Sequence, residues 1–175
     1  MADPSKVRLR KEIALKIHRI QQSQFLPLTL DEAWLFFATP KNLEAMTPPF
    51  LNFRILSDVP DVVHSGLMIE YRIRAVFGIP MRWLTEIKHV EKRTRFVDEQ
   101  RIGPFPFWYH EHRFEAVEGG IVMEDEVHYV MPWSILGGFI HWVFIRRRLL
   151  EIFRFRKCYL TERFADSART KSLPS

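Results

Sequence analysis

The chain has 175 residues, 47% hydrophobic and 14% aromatic, which suits one globular domain with ragged ends and a sizeable core. Its single cysteine, Cys158, cannot form an intramolecular disulfide, so a reducing, cytoplasmic setting is expected. The formal net charge is +5, but no groove-reading module accompanies it, and no nucleic-acid partner is expected.

Residues 1–14 read as a basic N-terminal arm carrying Lys6, Arg8, Arg10 and Lys11. They lack the apolar run of a secretory signal. A first strand is predicted over Lys16–Gln24. Thr29 and Glu32 have capping-box spacing and open a short helix that Pro40 ends. Lys41–Met46 form a second short helix, stopped by Thr47-Pro48-Pro49. Leu51, Phe53 and Ile55 alternate as a second strand, and 58–66 is a loop. The third strand turns Ile69, Tyr71 and Ile73 inward, Gly78-Ile79-Pro80 makes a turn, and the fourth turns Trp83, Thr85 and Ile87 inward.

Side chains alternate between the two faces of a strand, so the next three segments can be sorted by parity. From 95 to 102 one face holds Phe96, Asp98, Gln100 and Ile102. The other, with Arg95, Val97, Glu99 and Arg101, reads as solvent. From 107 to 115 the inner face is Trp108, His110, His112 and Phe114. From 121 to 129 it is Ile121, Met123, Asp125, Val127 and Tyr129. Two carboxylates, two imidazoles and one amide therefore share an aromatic interior. An unpaired buried carboxylate costs several kcal/mol, so these groups must pair, bond one another or line a wet or ligand-filled hollow.

Pro132 breaks the sheet, and a long helix is expected from Ser134 or Ile135. Its least polar stretch, Met131–Ile145, is shorter than the roughly 20 residues a bilayer span needs. Ile135, Phe139, Trp142, Val143, Leu149, Leu150 and Phe153 share one broad arc, with Arg146 and Lys157 inside it. An arginine there reaches either the acidic interior or solvent. Residues 6–19 and 146–163 carry +10 between them and leave −5 for the rest. A solvated face accounts for this; the alternative partner is an anionic membrane touched by Arg146, Arg147 and Arg148. Residues 165–175 form a loose tail, leaving one domain over 15–164. The order strand, two short helices, six strands, long helix is an α+β arrangement.

The residues leave three readings of the polar cluster open. It is a satisfied network that fixes register and anchors a ligand, an acid/base pair built from His110, His112, Asp98 and Asp125, or a metal site of His110 and His112 with Asp98 or Asp125. No nucleophile elbow, phosphate loop or dinucleotide fingerprint is present.

The element order, with Phe96-Val97-Asp98-Glu99-Gln100, Gly103-Pro104, Trp108-x-His110-x-His112-x-Phe114 and Asp125-x-Val127-x-Tyr129-x-x-Pro132, resembles the SRPBCC superfamily, the START and birch-pollen-allergen-like helix-grip proteins. The likeness spans residues 16–163 and is nearest the small bacterial ligand-binding or cyclase/dehydrase-like members. It implies a curved antiparallel sheet of about seven strands wrapped around a long C-terminal helix. A lipophilic small molecule would lie between them, against Trp83, Phe96, Asp98, Gln100, Trp108, His110, His112, Phe114, Asp125 and Tyr129. The resemblance supplies no cofactor and no metal. Binding for carriage or sensing is the expected function, and a polyketide cyclase/dehydratase-like enzyme is the alternative.

Overall fold

The computed structural model describes residues 16–76, 78–131 and 144–171. The basic arm and the predicted helix positions Ile135, Phe139, Trp142 and Val143 lie outside them. Strand β1, Ile17–Leu26, alternates in burial along its length. Helix α1, Leu30–Phe37, follows with the predicted capping box: Glu32 N–H donates to Thr29 Oγ1 at 3.2 Å, and Thr29 N–H donates to Glu32 Oε2 at 2.7 Å. Thr29→Ala is expected to cost about 1 kcal/mol in urea denaturation, because it removes the acceptor for the Glu32 amide. The cap sets the helix so that Trp34 packs edge-on against Phe96 and Phe114 at 6.0 and 6.2 Å.

Helix α2 is short, Asn42–Ala45. The alternation of Leu51, Phe53 and Ile55 does not make the predicted strand. Pro49–Leu51 form a 3-10 turn, Asn52 takes a left-handed φ of 43°, and β2 is only Arg54–Ile55. Two prolines impose the turn, and asparagine tolerates the positive φ that breaks the extended run.

Strands β3, Met68–Val76, and β4, Ile79–Glu91, follow. Gly78 lies in the turn, at φ 71°, and Ile79 and Pro80 already belong to β4. Then come β5, Arg95–Ile102, β6, Phe107–Val117, and β7, Gly120–Val130. The seven strands form one sheet in the order β1-β7-β6-β5-β4-β3-β2, with every pairing antiparallel. Helix α3, Arg146–Lys171, crosses it. Leu149, Phe153 and Leu160 are buried on its inner side. Gln24 of β1 ties the helix down, its amide donating to Lys157 O at 3.1 Å and Thr161 Oγ1 at 3.0 Å. The helix runs past the Ala165 boundary expected from sequence, since no glycine or proline intervenes before Lys171. The chain thus has the α+β helix-grip architecture. No helix among the described residues is long and apolar enough to cross a membrane.

The inward residues expected from parity are buried from Trp108 to Phe114 of β6 and from Ile121 to Tyr129 of β7, and parity fails in β5. Ile102 is 62% exposed, because β5 carries a bulge: Gln100 pairs with Thr85 while Ile102 pairs with the outward Leu84. The extra residue, Arg101, flips everything after it. Val97, on the face read as solvent, is 0% exposed. Its cross-strand neighbours are Lys88 and Glu111. Glu111 accepts from Arg113 at 2.8 Å and Arg95 at 3.2 Å, and Lys88 pairs with Glu99 at 2.8 Å. Long side chains joined in this way cover Val97 with their stems.

Candidate functional site

The concave face and α3 enclose a cavity of about 170 Å³. Its walls are mostly apolar: Ile69, Ile73, Trp83, Ile87 and Phe96 from the sheet, and Leu149 and Phe153 from the helix. Thr39, Leu43, Thr47 and Arg148 also line it. Arg148 stacks over Phe50 at 4.2 Å and pairs with Glu151 at 2.9 Å, while Arg146 and Arg147 are exposed.

Two further polar patches lie on the sheet side of the lining. In one, the Tyr71 and Thr85 hydroxyls bond at 2.8 Å. Burial, then the nearby Asp98 charge, pushes the Tyr71 phenol well above its usual range, so it stays neutral. The other is the cluster that strand parity places inside. His110 and His112 lie side by side on β6, their rings 3.9 Å apart. Each spans two carboxylates. On the cavity side, His110 Nδ1 and His112 Nε2 lie 3.1 and 2.9 Å from Asp98 Oδ2. On the far side, His110 Nε2 and His112 Nδ1 lie 3.1 and 2.7 Å from Asp125 Oδ1. Register causes this, because Asp98 pairs with His110 across β5 and β6, and His112 with Asp125 across β6 and β7. Phe96 stacks on His112 at 4.4 Å.

The buried cation from the helix is neither Arg146 nor Lys157, both of which are exposed. It is Arg156, 12% exposed in its side chain, whose Nη1 lies 3.3 Å from both oxygens of Asp125. Leu149, Phe153, Arg156 and Leu160 follow the i, i+4, i+7, i+11 rhythm of one helical face. That spacing was available in the sequence.

Electrostatics follow from the geometry. Burial pulls His110 down, but the Asp98 charge and hydrogen bonds to both carboxylates outweigh it and lift its pKa to about 9. Burial pushes Asp98 up, and the His110 charge with the imidazole hydrogen bonds brings it well below the carboxylate range. Asp125 is likewise driven up by burial and held far lower by Arg156 first, then by the two imidazoles.

The residues expected at the ligand separate into two groups. Trp83, Phe96, Asp98, Trp108, His110 and His112 line the cavity; Gln100, Phe114, Asp125 and Tyr129 do not. Gln100 folds back onto its own loop, where its amide donates to Phe105 O and its carbonyl accepts from Phe105 N–H at 3.4 Å. Gly103 makes room for this, since a Cβ there would collide with the Gln100 side chain. The clamp holds Phe105, a wall residue not anticipated from sequence, at 5.0 Å from Trp108. Phe114 belongs to the aromatic core under α1, 5.3 Å from Phe37. Tyr129 packs behind Trp108 at 6.0 Å. Asp125 supports the histidines from behind.

One buried group beside the cavity is unsatisfied. Among the described residues, the indole N–H of Trp83 is the buried side-chain donor without an acceptor, and such a group costs about 1–3 kcal/mol unless something fills the need. Asp98, His110 and His112 also bring one ligand atom each within 4.8 Å of one another, a spacing open to a metal ion.

No family model matches the chain, and no curated protein does. Solved structures do match. TTHA0849 from Thermus thermophilus is similar at TM-score 0.60 and 18% identity, over 89% of this chain and 100% of that one. Ara h 8.0201 is similar at TM-score 0.53 and 16% identity, over 84% and 99%. The di-domain ARO/CYC StfQ from the steffimycin biosynthetic pathway is similar at TM-score 0.57 and 12% identity, over 84% of this chain and 52% of that one. At these identities the likeness is one of fold.

Proposed function

We propose, with the helix-grip fold of the SRPBCC superfamily as premise, that this chain binds a small amphipathic organic molecule between sheet and α3. The observation that carries the reading is the apolar cavity with the Tyr71–Thr85 hydroxyl pair among its lining residues and Asp98 at its polar edge. Apolar walls supply affinity, and a few polar groups set orientation. The Tyr71 and Thr85 hydroxyls use one of their two O–H groups on each other, and the other can donate to an acceptor oxygen on the ligand. Asp98, the more exposed carboxylate of the cluster at 21% against 8% for Asp125, asks for a donor such as a hydroxyl. A hollow of about 170 Å³ suits a ligand of one or two rings, since about 150 Å³ admits benzene. A larger molecule must project from the mouth or move the walls.

The cyclase-like alternative draws on the ARO/CYC neighbour and on the cluster's place beside the cavity. It is the weaker reading. A histidine acting on a substrate keeps one nitrogen for it, whereas all four imidazole nitrogens here lie against carboxylates.

Calorimetric titration with acetophenone and with α-methylstyrene, its hydrocarbon isostere, tests the proposal. The ketone is expected to bind saturably and about 5–10-fold more tightly, and Tyr71→Phe combined with Thr85→Val should remove most of that difference. The cavity-filling variant Ile69→Phe should abolish both. Equal affinities for the two probes would reject the polar anchor, and non-saturable uptake unaffected by Ile69→Phe would reject the cavity as the site.

A further inference from the structure

The proton inventory of the cluster does not close on neutral imidazoles. Four short N···O contacts join two histidines to two carboxylates, and a carboxylate cannot donate. Two neutral imidazoles bring two N–H groups, one each. The remaining two contacts place a nitrogen lone pair against an oxygen unless two further positive charges are supplied. Two protons meet that requirement, and so does one divalent cation.

The geometry points to the second solution as an available state: Asp98, His110 and His112 form a binding site for a borderline divalent transition-metal ion, of which Zn²⁺ is the type, in the cavity wall. The two faces of the cluster are unequal in the way such a site needs. Asp98 Oδ2 receives one nitrogen from each histidine, at 3.1 and 2.9 Å. Donor atoms around a tetrahedral ion with bonds of about 2.0–2.1 Å lie about 3.3 Å apart, so the two N···O separations need to lengthen by only a few tenths of an ångström, and all three ligand atoms already lie within 4.8 Å of one another. The opposite nitrogens both face Asp125 Oδ1. That carboxylate can accept both N–H groups, fixing each tautomer with its lone pair toward Asp98, the outer-shell arrangement of metal-binding histidines. Arg156 neutralises Asp125 from behind at 3.3 Å.

Imidazole nitrogens with a single carboxylate suit Zn²⁺, Co²⁺ or Ni²⁺ better than Mg²⁺ or Ca²⁺, which prefer all-oxygen shells. All three ligands line the cavity. A fourth coordination position is thereby open to it, for water or for a ligand oxygen.

Co²⁺ reports on such a site through its visible d–d bands. Tag-free protein, treated with chelator and dialysed, is titrated with Co²⁺ and then with Zn²⁺. One equivalent of Co²⁺ is expected to give absorption between about 500 and 650 nm, the range for four or five ligands, and Zn²⁺ should erase it. Asp98→Asn should weaken binding at least 10-fold, and His110→Gln with His112→Gln should abolish it, with the fold checked by circular dichroism. His128→Gln, which removes an imidazole–carboxylate pair on the outer face, should change nothing. The proposal is overturned if wild-type protein shows no bands at millimolar Co²⁺, or if the bands survive loss of both histidines. Organic-ligand binding by the metal-free protein is read separately and stands or falls independently.

Discussion

Asp125→Asn is expected to cost about 3–5 kcal/mol of folding stability. Asp125 is buried beneath two imidazoles and one guanidinium. Removing its charge strands Arg156, 12% exposed, and turns an amide N–H₂ toward N–H donors. The cost is that of uncompensated buried charge rather than the net worth of one pair. Urea denaturation with an unchanged m-value measures it. Arg156→Met should cost less, since Asp125 keeps both imidazoles. Combined with Asp125→Asn, it should be markedly sub-additive. A loss under 1 kcal/mol for Asp125→Asn would mean that the cluster contributes little to the fold.

The other large effect is a fall in stability of roughly 3 kcal/mol between about pH 6.5 and 9 in chelator-treated protein. His110 titrates near 9 when folded, against 6.5 as a free side chain. Below 6.5 both states carry the proton and the stabilisation is complete. Between the two values only the folded state holds it, so stability drops by about 1.4 kcal/mol per pH unit. Above 9 the contribution is gone. The carboxylates run the other way: Asp98 and Asp125 are depressed from 3.8, so their contribution is full above about pH 4 and lost as pH falls through the folded values. The maximum therefore lies between about pH 4 and 6.5. Melting curves of wild type and His110→Gln isolate the term, because the variant should lose the alkaline decline while keeping the part of the acid one that Asp125 owes to Arg156. Parallel alkaline slopes would contradict the assignment.

What could be read from the sequence depended on whether a residue obeyed a period. The inward faces of β6 and β7 were legible because the two-residue alternation runs unbroken from Trp108 to Phe114 and from Ile121 to Tyr129. The stoichiometry of two carboxylates and two imidazoles followed, although not which nitrogen meets which oxygen. The period failed at Arg101, where a bulge inserts a residue with no compositional mark. It also failed at Leu51, where paired prolines override apolar spacing. Gln100 has the parity of a pocket residue, but its partner is backbone five residues ahead, which side-chain patterning cannot see. Arg156 was overlooked for a different reason. The broad arc through Ile135, Leu149, Leu150 and Phe153 takes in Arg146 and Lys157 and leaves Arg156 just outside its edge, although Leu149, Phe153 and Leu160 are the residues buried beside it.

The strand order also has a cost in time. β1 is made early but finds its neighbour only when β7 exists, with Ile17 opposite Val130 and Leu26 opposite Ile121. At about 5–20 residues per second, translation leaves β1 waiting roughly 5–20 s for its partner. Throughout that interval it is an unpaired edge, open to any extended chain nearby. Arg19, Gln21, Gln22 and Gln24 interrupt the apolar residues along it. They act as gatekeepers for the nascent chain before any of them serves the finished sheet.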